Sequence, residues 1–355
     1  MIKKIIEYIT LTIAIAGCGH APEWSLESSI KVKGYPIEMS AENAVTIPVN
    51  AIGIRGIKCI GDNLLVTAAD TSGCMSVVSK EGALISRPFL KTGSGPGEVL
   101  YPPYISWIKF VIDENGHNLA LFYDNKGKVL KVDINESVSK GIAQVDCLID
   151  SLDAMAGSRY YPLNPSTIFY LTENKSRDGY QRSIVPDNSV DCDNSPMEVL
   201  DGFTSKYKNN LSTLIMADPS GSMIVEAGSR IDAIHLYSLD GSFNRTIYSG
   251  NIRVTDSESS VKCYYDVKVF KDFFAALYLG ISMDDLDEGN YNSVEIRMFD
   301  WEGNPLARVL VPAKGRYFDI DTHAGCLYVA DEDFDGILCY DIAEILKIIQ
   351  LEQHP

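Results

Sequence analysis

From about residue 30 onward, short runs of Val, Ile, Leu, Tyr and Phe alternate with Gly, Asp and Asn turns. That is the pattern of half-buried strands, and helical periodicity first emerges at Ile342 to Leu351. The turns recur in register. One class comprises Ser79-Lys80-Glu81-Gly82, Leu239-Asp240-Gly241 and Trp301-Glu302-Gly303. A second follows a Tyr-containing run, in Tyr123 to Gly127 and Asp331 to Gly336. Gly82 to Gly241 is 159 residues, or three units of about 53, and Gly127 to Gly336 is 209, or four units of about 52. A period near 50 built of four strands predicts a blade, so the chain reads as an all-β, six-bladed β-propeller. The expected blades run near 52–100, 101–157, 158–204, 205–261, 262–313 and 314–355, with the stretch before 52 free to close the ring. A seven-bladed ring or two packed sandwiches are the competing architectures.

The N-terminus has a different pattern. Lys3 and Lys4 precede an apolar stretch that is uncharged from Tyr8 to Ala16 and ends in Ile15-Ala16-Gly17-Cys18. A basic start, a short hydrophobic segment and small residues predict a secretory signal, too short for a permanent span. Glu7 is the one discordant residue. The small-small-Cys ending resembles the lipobox of bacterial lipoproteins, which implies that Cys18 is acylated, for instance with palmitate, and becomes the new N-terminus. Two or more acyl chains hold a protein stably to a bilayer. The expected organisation is a signal peptide over 1–17, a lipidated tether with a candidate ring-closing strand over 18–43, and the propeller over 44–355. Gly19 is compatible with sorting to the outer membrane, whose face is left open.

The run Gly93-Ser94-Gly95-Pro96-Gly97-Glu98, taken with the lipobox and the blade-like text, resembles the TolB-like six-bladed propeller lipoproteins of Bacteroidetes-type bacteria. The resemblance implies a fold and a cell-envelope location and supplies no catalytic residues. The glycines do not read as a phosphate cradle. Such loops need a helix N-terminus directly after them, and Pro102-Pro103 forbids one here.

Charge narrows the partners. With 31 Lys+Arg against 48 Asp+Glu the net charge is -17. Loss of residues 1–17 removes one net positive charge and leaves -18, which disfavours nucleic acid and anionic lipid heads. Seven cysteines follow Cys18, an odd number without a CxxC, which does not read as a disulfide framework or zinc site. Cys326 and Cys339 flank a turn and could bridge if opposed. The five histidines stand apart and no Gly-x-Ser-x-Gly elbow occurs.

Two constellations carry chemistry. Asp331-Glu332-Asp333-Phe334-Asp335-Gly336 alternates carboxylates that could turn on a calcium ion, with Asp331, Asp333 and Asp335 as ligands; a solvated acidic turn is the plainer reading. The second is a cation followed by tyrosine where blades begin: Arg159 with Tyr160, Lys206 with Tyr207, Lys262 with Tyr264, and Arg316 with Tyr317. Successive intervals are 47, 56 and 54 residues, so the pairs would ring the channel mouth. Such a ring suits anionic glycans or peptides. Tyrosines that merely pack between blades are the alternative. The sequence therefore predicts an envelope-anchored lipoprotein acting as a ligand-binding or scaffold propeller. A propeller hydrolase or lyase, using a carboxylate-held metal on a sugar or lactone, is the rival. A structural part of an envelope complex is the third reading.

Overall fold

The computed structural model describes residues 28–49, 51, 53–70, 72–95, 97–124, 127–150, 159–173, 180–186, 212–250, 261–331 and 336–353. Cys18, Lys206, Tyr207, Asp333 and Asp335 lie outside the described residues, so neither the lipid site nor the proposed calcium set has a geometry here.

Each blade is an antiparallel sheet whose first strand lies innermost. Blade one holds Ile54–Ile60, Asn63–Ala68 and Met75–Ser79. Blade two holds Lys109–Ile112, Asn118–Tyr123, Val129–Asp133 and Gln144–Ile149. Blade three holds Arg159–Asn164, Thr167–Glu173 and Tyr180–Pro186. Blade four runs Thr213–Ala217, Met223–Gly228, Ala233–Ser238 and Asn244–Tyr248. Blade five runs Val261–Val269, Phe273–Ser282, Val294–Asp300 and Pro305–Val311. Blade six runs Gly315–Asp321, Cys326–Asp331 and Gly336–Asp341. The molecule is a six-bladed β-propeller.

The N-terminal chain protects outer edges before it enters the ring. Ser29–Lys31 runs parallel to the last strand of blade four, and Ile37–Ser40 parallel to that of blade five. Val45–Pro48 then pairs antiparallel with Gly336–Asp341 and completes blade six. The ring-closing strand thus lies just beyond the 18–43 segment, as the outermost strand of blade six.

Between blades the sheet faces are apolar. Phe274, Phe299 and Phe318 are among the largest fully buried side chains. One polar seam crosses an interface as paired groups. Arg182 of blade three forks onto Glu226 of blade four, with Nε to Oε1 at 2.8 Å and Nη2 to Oε2 at 2.6 Å. The Tyr237 hydroxyl donates to the same Oε1 at 2.8 Å. A buried carboxylate is tolerable only when satisfied in this way.

A turn enters the channel among the described residues. A short 3₁₀ turn, Ile105–Trp107, precedes the inner strand of blade two and packs against the inner strands of blades one, four and five. Ile105 is buried and sits so close to Gly56 that a Cβ there would lie 2.2 Å from the Ile105 Cβ. Gly56 is the gap that admits this plug. It divides an upper mouth, where inner strands begin, from a lower one, where they end.

Two features differ from the sequence reading. Helices also form at Ile134–Lys140 and Met283–Glu288. Each is two turns or fewer, too short for periodicity to show, and starts because Asp133 or Ser282 caps its free amides. The blade-six register sets Cys326 opposite Asp341 and Cys339 opposite Tyr328, so the two cysteines are diagonal rather than facing, and both are free thiols.

Candidate functional site

The upper mouth is shaped by bulges in the inner strands. In blade one the register slips between Ile54 and Gly56, which makes Arg55 the extra residue. In blade six it slips between Gly315 and Tyr317, which makes Arg316 the extra residue. In blade five Tyr264 faces Tyr278 and Asp266 faces Leu277, leaving Tyr265 as the extra residue. A bulge breaks the two-residue alternation and re-aims a side chain that would otherwise enter a blade interface.

Tyr265 is the centre of the result. The Lys262 ammonium lies 4.9 Å from its ring centroid and the Arg316 guanidinium 5.5 Å from it. Tyr317 meets the same ring edge-on, centroids 5.7 Å apart. Lys262 Nζ also donates to Ser229 Oγ, in the loop joining the second and third strands of blade four. Arg159 is held from the same direction, Nη1 to the Thr213 carbonyl and Nη2 to Ser212 Oγ, both at 2.8 Å. Burial pushes the Lys262 ammonium down to about 8, and Arg230, Arg159 and Arg316 push the same way by repulsion. Cations of blades three, four, five and six are therefore close enough to feel one another.

The sequence-predicted residues divide cleanly. Arg159, Lys262 and Arg316 gather at one opening, and Tyr317 borders it. Tyr160 does not. It is buried between blades two and three, 4.5 Å from Tyr123 and 5.8 Å from Tyr170, ring to ring. Tyr264 is buried between blades four and five, where its hydroxyl donates to Asp232 Oδ1 at 3.0 Å and its ring meets Tyr278. For these two the inter-blade packing alternative holds. Arg55, Arg230 and Tyr265 were missed as site residues. Tyr265 had a signal, the second tyrosine of Lys262-Cys263-Tyr264-Tyr265, but strict alternation selects the wrong one.

Beside this mouth, Tyr101, Pro102, Pro103, Tyr104 and Trp107 join Arg55 around a cavity of about 150 Å³. Tyr101 and Tyr104 are exposed. The neighbouring Gly93 to Glu98 loop is a closed device of its own. Glu98 Oε2 accepts the Gly95 amide at 2.8 Å, and a Cβ on Gly93 would come within 2.2 Å of that oxygen. Two of its glycines make room for the loop's own carboxylate.

Asp331 is buried at the end of its strand. Among the described residues, metal-ligating side chains cluster at His117, Asp133 and Glu136 on the lower side of blade two. They already have work: Asp133 Oδ2 takes His117 Nδ1 at 2.8 Å, its Oδ1 caps the helix at the Glu136 amide, and Glu136 pairs with Lys140. Asp133 raises the His117 imidazole above its usual value by hydrogen bonding to it. This is a helix start.

No family model matches the sequence, and no curated protein matches it. Among solved structures, a member of the DUF4221 family from Bacteroides vulgatus is similar at 11% identity, over 85% of this chain and 97% of that one, with a TM-score of 0.51. A Myceliophteria thermophila Cps50 (Swd1) β-propeller domain matches at 13% identity over 85% and 99%, TM-score 0.39. An auxiliary nutrient binding protein from Bacteroides ovatus matches at 11% identity over 81% and 69%, TM-score 0.42. At such identities the likeness is one of fold, and the first of the three carries it.

Proposed function

We propose that the chain is an envelope-anchored lipoprotein whose propeller binds carboxylate-bearing ligands, acidic glycans foremost, at the upper mouth. The observation that carries this reading is the pair of cations, Lys262 and Arg316, flanking one tyrosine ring in a chain of net charge -17. A tyrosine face suits the apolar face of a sugar, and the flanking cations suit its carboxylate. The exposed Tyr101 and Tyr104 beside Arg55 extend the same chemistry outward. The anchor rests on the Cys18 motif, and the TolB-like lipoprotein kinship rests on that motif with Gly93 to Glu98. Either face of the outer membrane accommodates this role.

Isothermal titration of trigalacturonate into the soluble propeller tests the reading. Binding should weaken as salt rises and fall about tenfold in Lys262→Ala, since a charged hydrogen bond contributes about 1.5–3 kcal/mol. A neutral galactose trimer binding equally well, or no binding of the uronate, would contradict it. An acidic peptide binding in its place moves the ligand class from glycan to peptide.

A further inference from the structure

Below the plug a second, separate cavity of about 90 Å³ lies among the inner strands. Its walls include Lys58 of blade one, Lys109 of blade two and Lys268 of blade five, with Phe110, Tyr161 and Met216. Three lysines line this one small cavity, and among the described residues two of them are in direct ion pairs. Lys58 pairs with the buried Asp319 at 3.1 Å, and Lys268 with the buried Asp266 at 2.9 Å. Lys109 is only 4% exposed, and its Nζ donates to a neutral group, the Asp218 main-chain carbonyl, at 2.7 Å. The Asp218 carboxylate is turned to its own hairpin, where it accepts the Ser222 amide at 2.7 Å and the Met223 amide at 2.8 Å.

A buried cation with no directly paired carboxylate among the described residues is costly, and burial pulls the Lys109 ammonium below its ordinary value although the Asp218 carboxylate draws it part of the way back. The cavity wall offers a small anion one lysine whose ammonium has no direct carboxylate partner among the described residues, two ion-paired lysines as further donors, and room for a few water-sized groups. We propose that the lower channel binds a single small oxyanion, of the carboxylate or phosphate class, through Lys109 with Lys58 and Lys268 around it. This site is separated from the upper mouth by Ile105–Trp107 and does not depend on what binds there.

The test is thermal unfolding of the whole chain in inorganic phosphate or in acetate, with ionic strength matched by sodium chloride. The expected result is a rise in Tm of about 2 °C or more with at least one anion, because a ligand of the native state alone stabilises it. Which of the two acts names the class. The rise should vanish in Lys109→Met and persist in Lys262→Ala. An equal rise in Lys109→Met, a loss in Lys262→Ala, or no rise in wild type overturns the proposal. Should Lys109→Met not fold, titration of phosphate and acetate into the wild type decides, and no binding at 10 mM (about tenfold above a 1 mM Kd) rejects it.

Discussion

His235, in the third strand of blade four, shows how burial sets the chemistry of single side chains in this ring. Its Nδ1 lies 3.2 Å from Thr246 Oγ1, and burial, reinforced by Arg182 and opposed by Glu226, pushes the imidazole down to about 4. An unfolded histidine titrates near 6.5, at about the model-peptide value. Between those two values the unfolded chain binds a proton that the folded chain refuses, so stability must fall as pH drops through that window. The loss reaches about 3 kcal/mol at most, from about 1.4 kcal/mol for each pH unit. Urea midpoints at pH 7 and pH 4.5 should separate more for wild type than for His235→Gln; equal separations would refute the assignment. At this scale the cations of the mouth were legible, because Arg159, Lys262 and Arg316 recur where blades begin. Their tyrosine partners were legible only in part. Tyr264 is consumed by Asp232 and Tyr278 inside a blade interface, and Tyr265 takes the place expected of it.

Among the elements, turns were read well and bulges not at all. Gly82, Gly241 and Gly303 have φ of 92°, 74° and 87°, so the same outer turn needs glycine in three blades and writes the period into the text. Asp240 and Asp300 lock two of those turns through side-chain bonds to following amides. A bulge has no such mark. Arg55 and Arg316 are extra residues only because of what their partner strands do, and nothing local distinguishes them from regular strand positions. The plug is equally silent. Ile105-Ser106-Trp107 reads as the approach to a strand, and its seat beside Gly56 is a contact across 49 positions of sequence. The short capped helices were hidden for a simpler reason, being too brief for a 3.6-residue period to register.

As a whole, the molecule combines two opposite charge trends. The chain is strongly acidic, yet cations from several blades converge on one mouth and three lysines converge below the plug. The first trend serves solubility, and at the upper mouth the second sets Arg230, Arg159 and Arg316 against Lys262 in mutual repulsion. Among the described residues no helix is long and apolar enough to cross a membrane. On the lipoprotein reading, acylated Cys18 supplies the attachment. Cys18→Ala should then move the protein from the membrane pellet to the soluble fraction or leave an unprocessed precursor, without incorporation of labelled palmitate. Equal labelling and equal pelleting of the variant would remove the anchor from the account.

The central claim, that the upper mouth is an anion site built on Lys262, is tested most directly by the pH dependence of trigalacturonate binding. Lys262, held at about 8 by burial and by Arg230, Arg159 and Arg316, loses its charge well before an exposed lysine does. The dissociation constant, measured between pH 7 and pH 9.5, should rise by about tenfold through that midpoint, the worth of one charged contact. In Lys262→Met it should be weak and flat across the same range. A wild-type affinity that does not change with pH, or a variant with the same pH dependence as wild type, would contradict it.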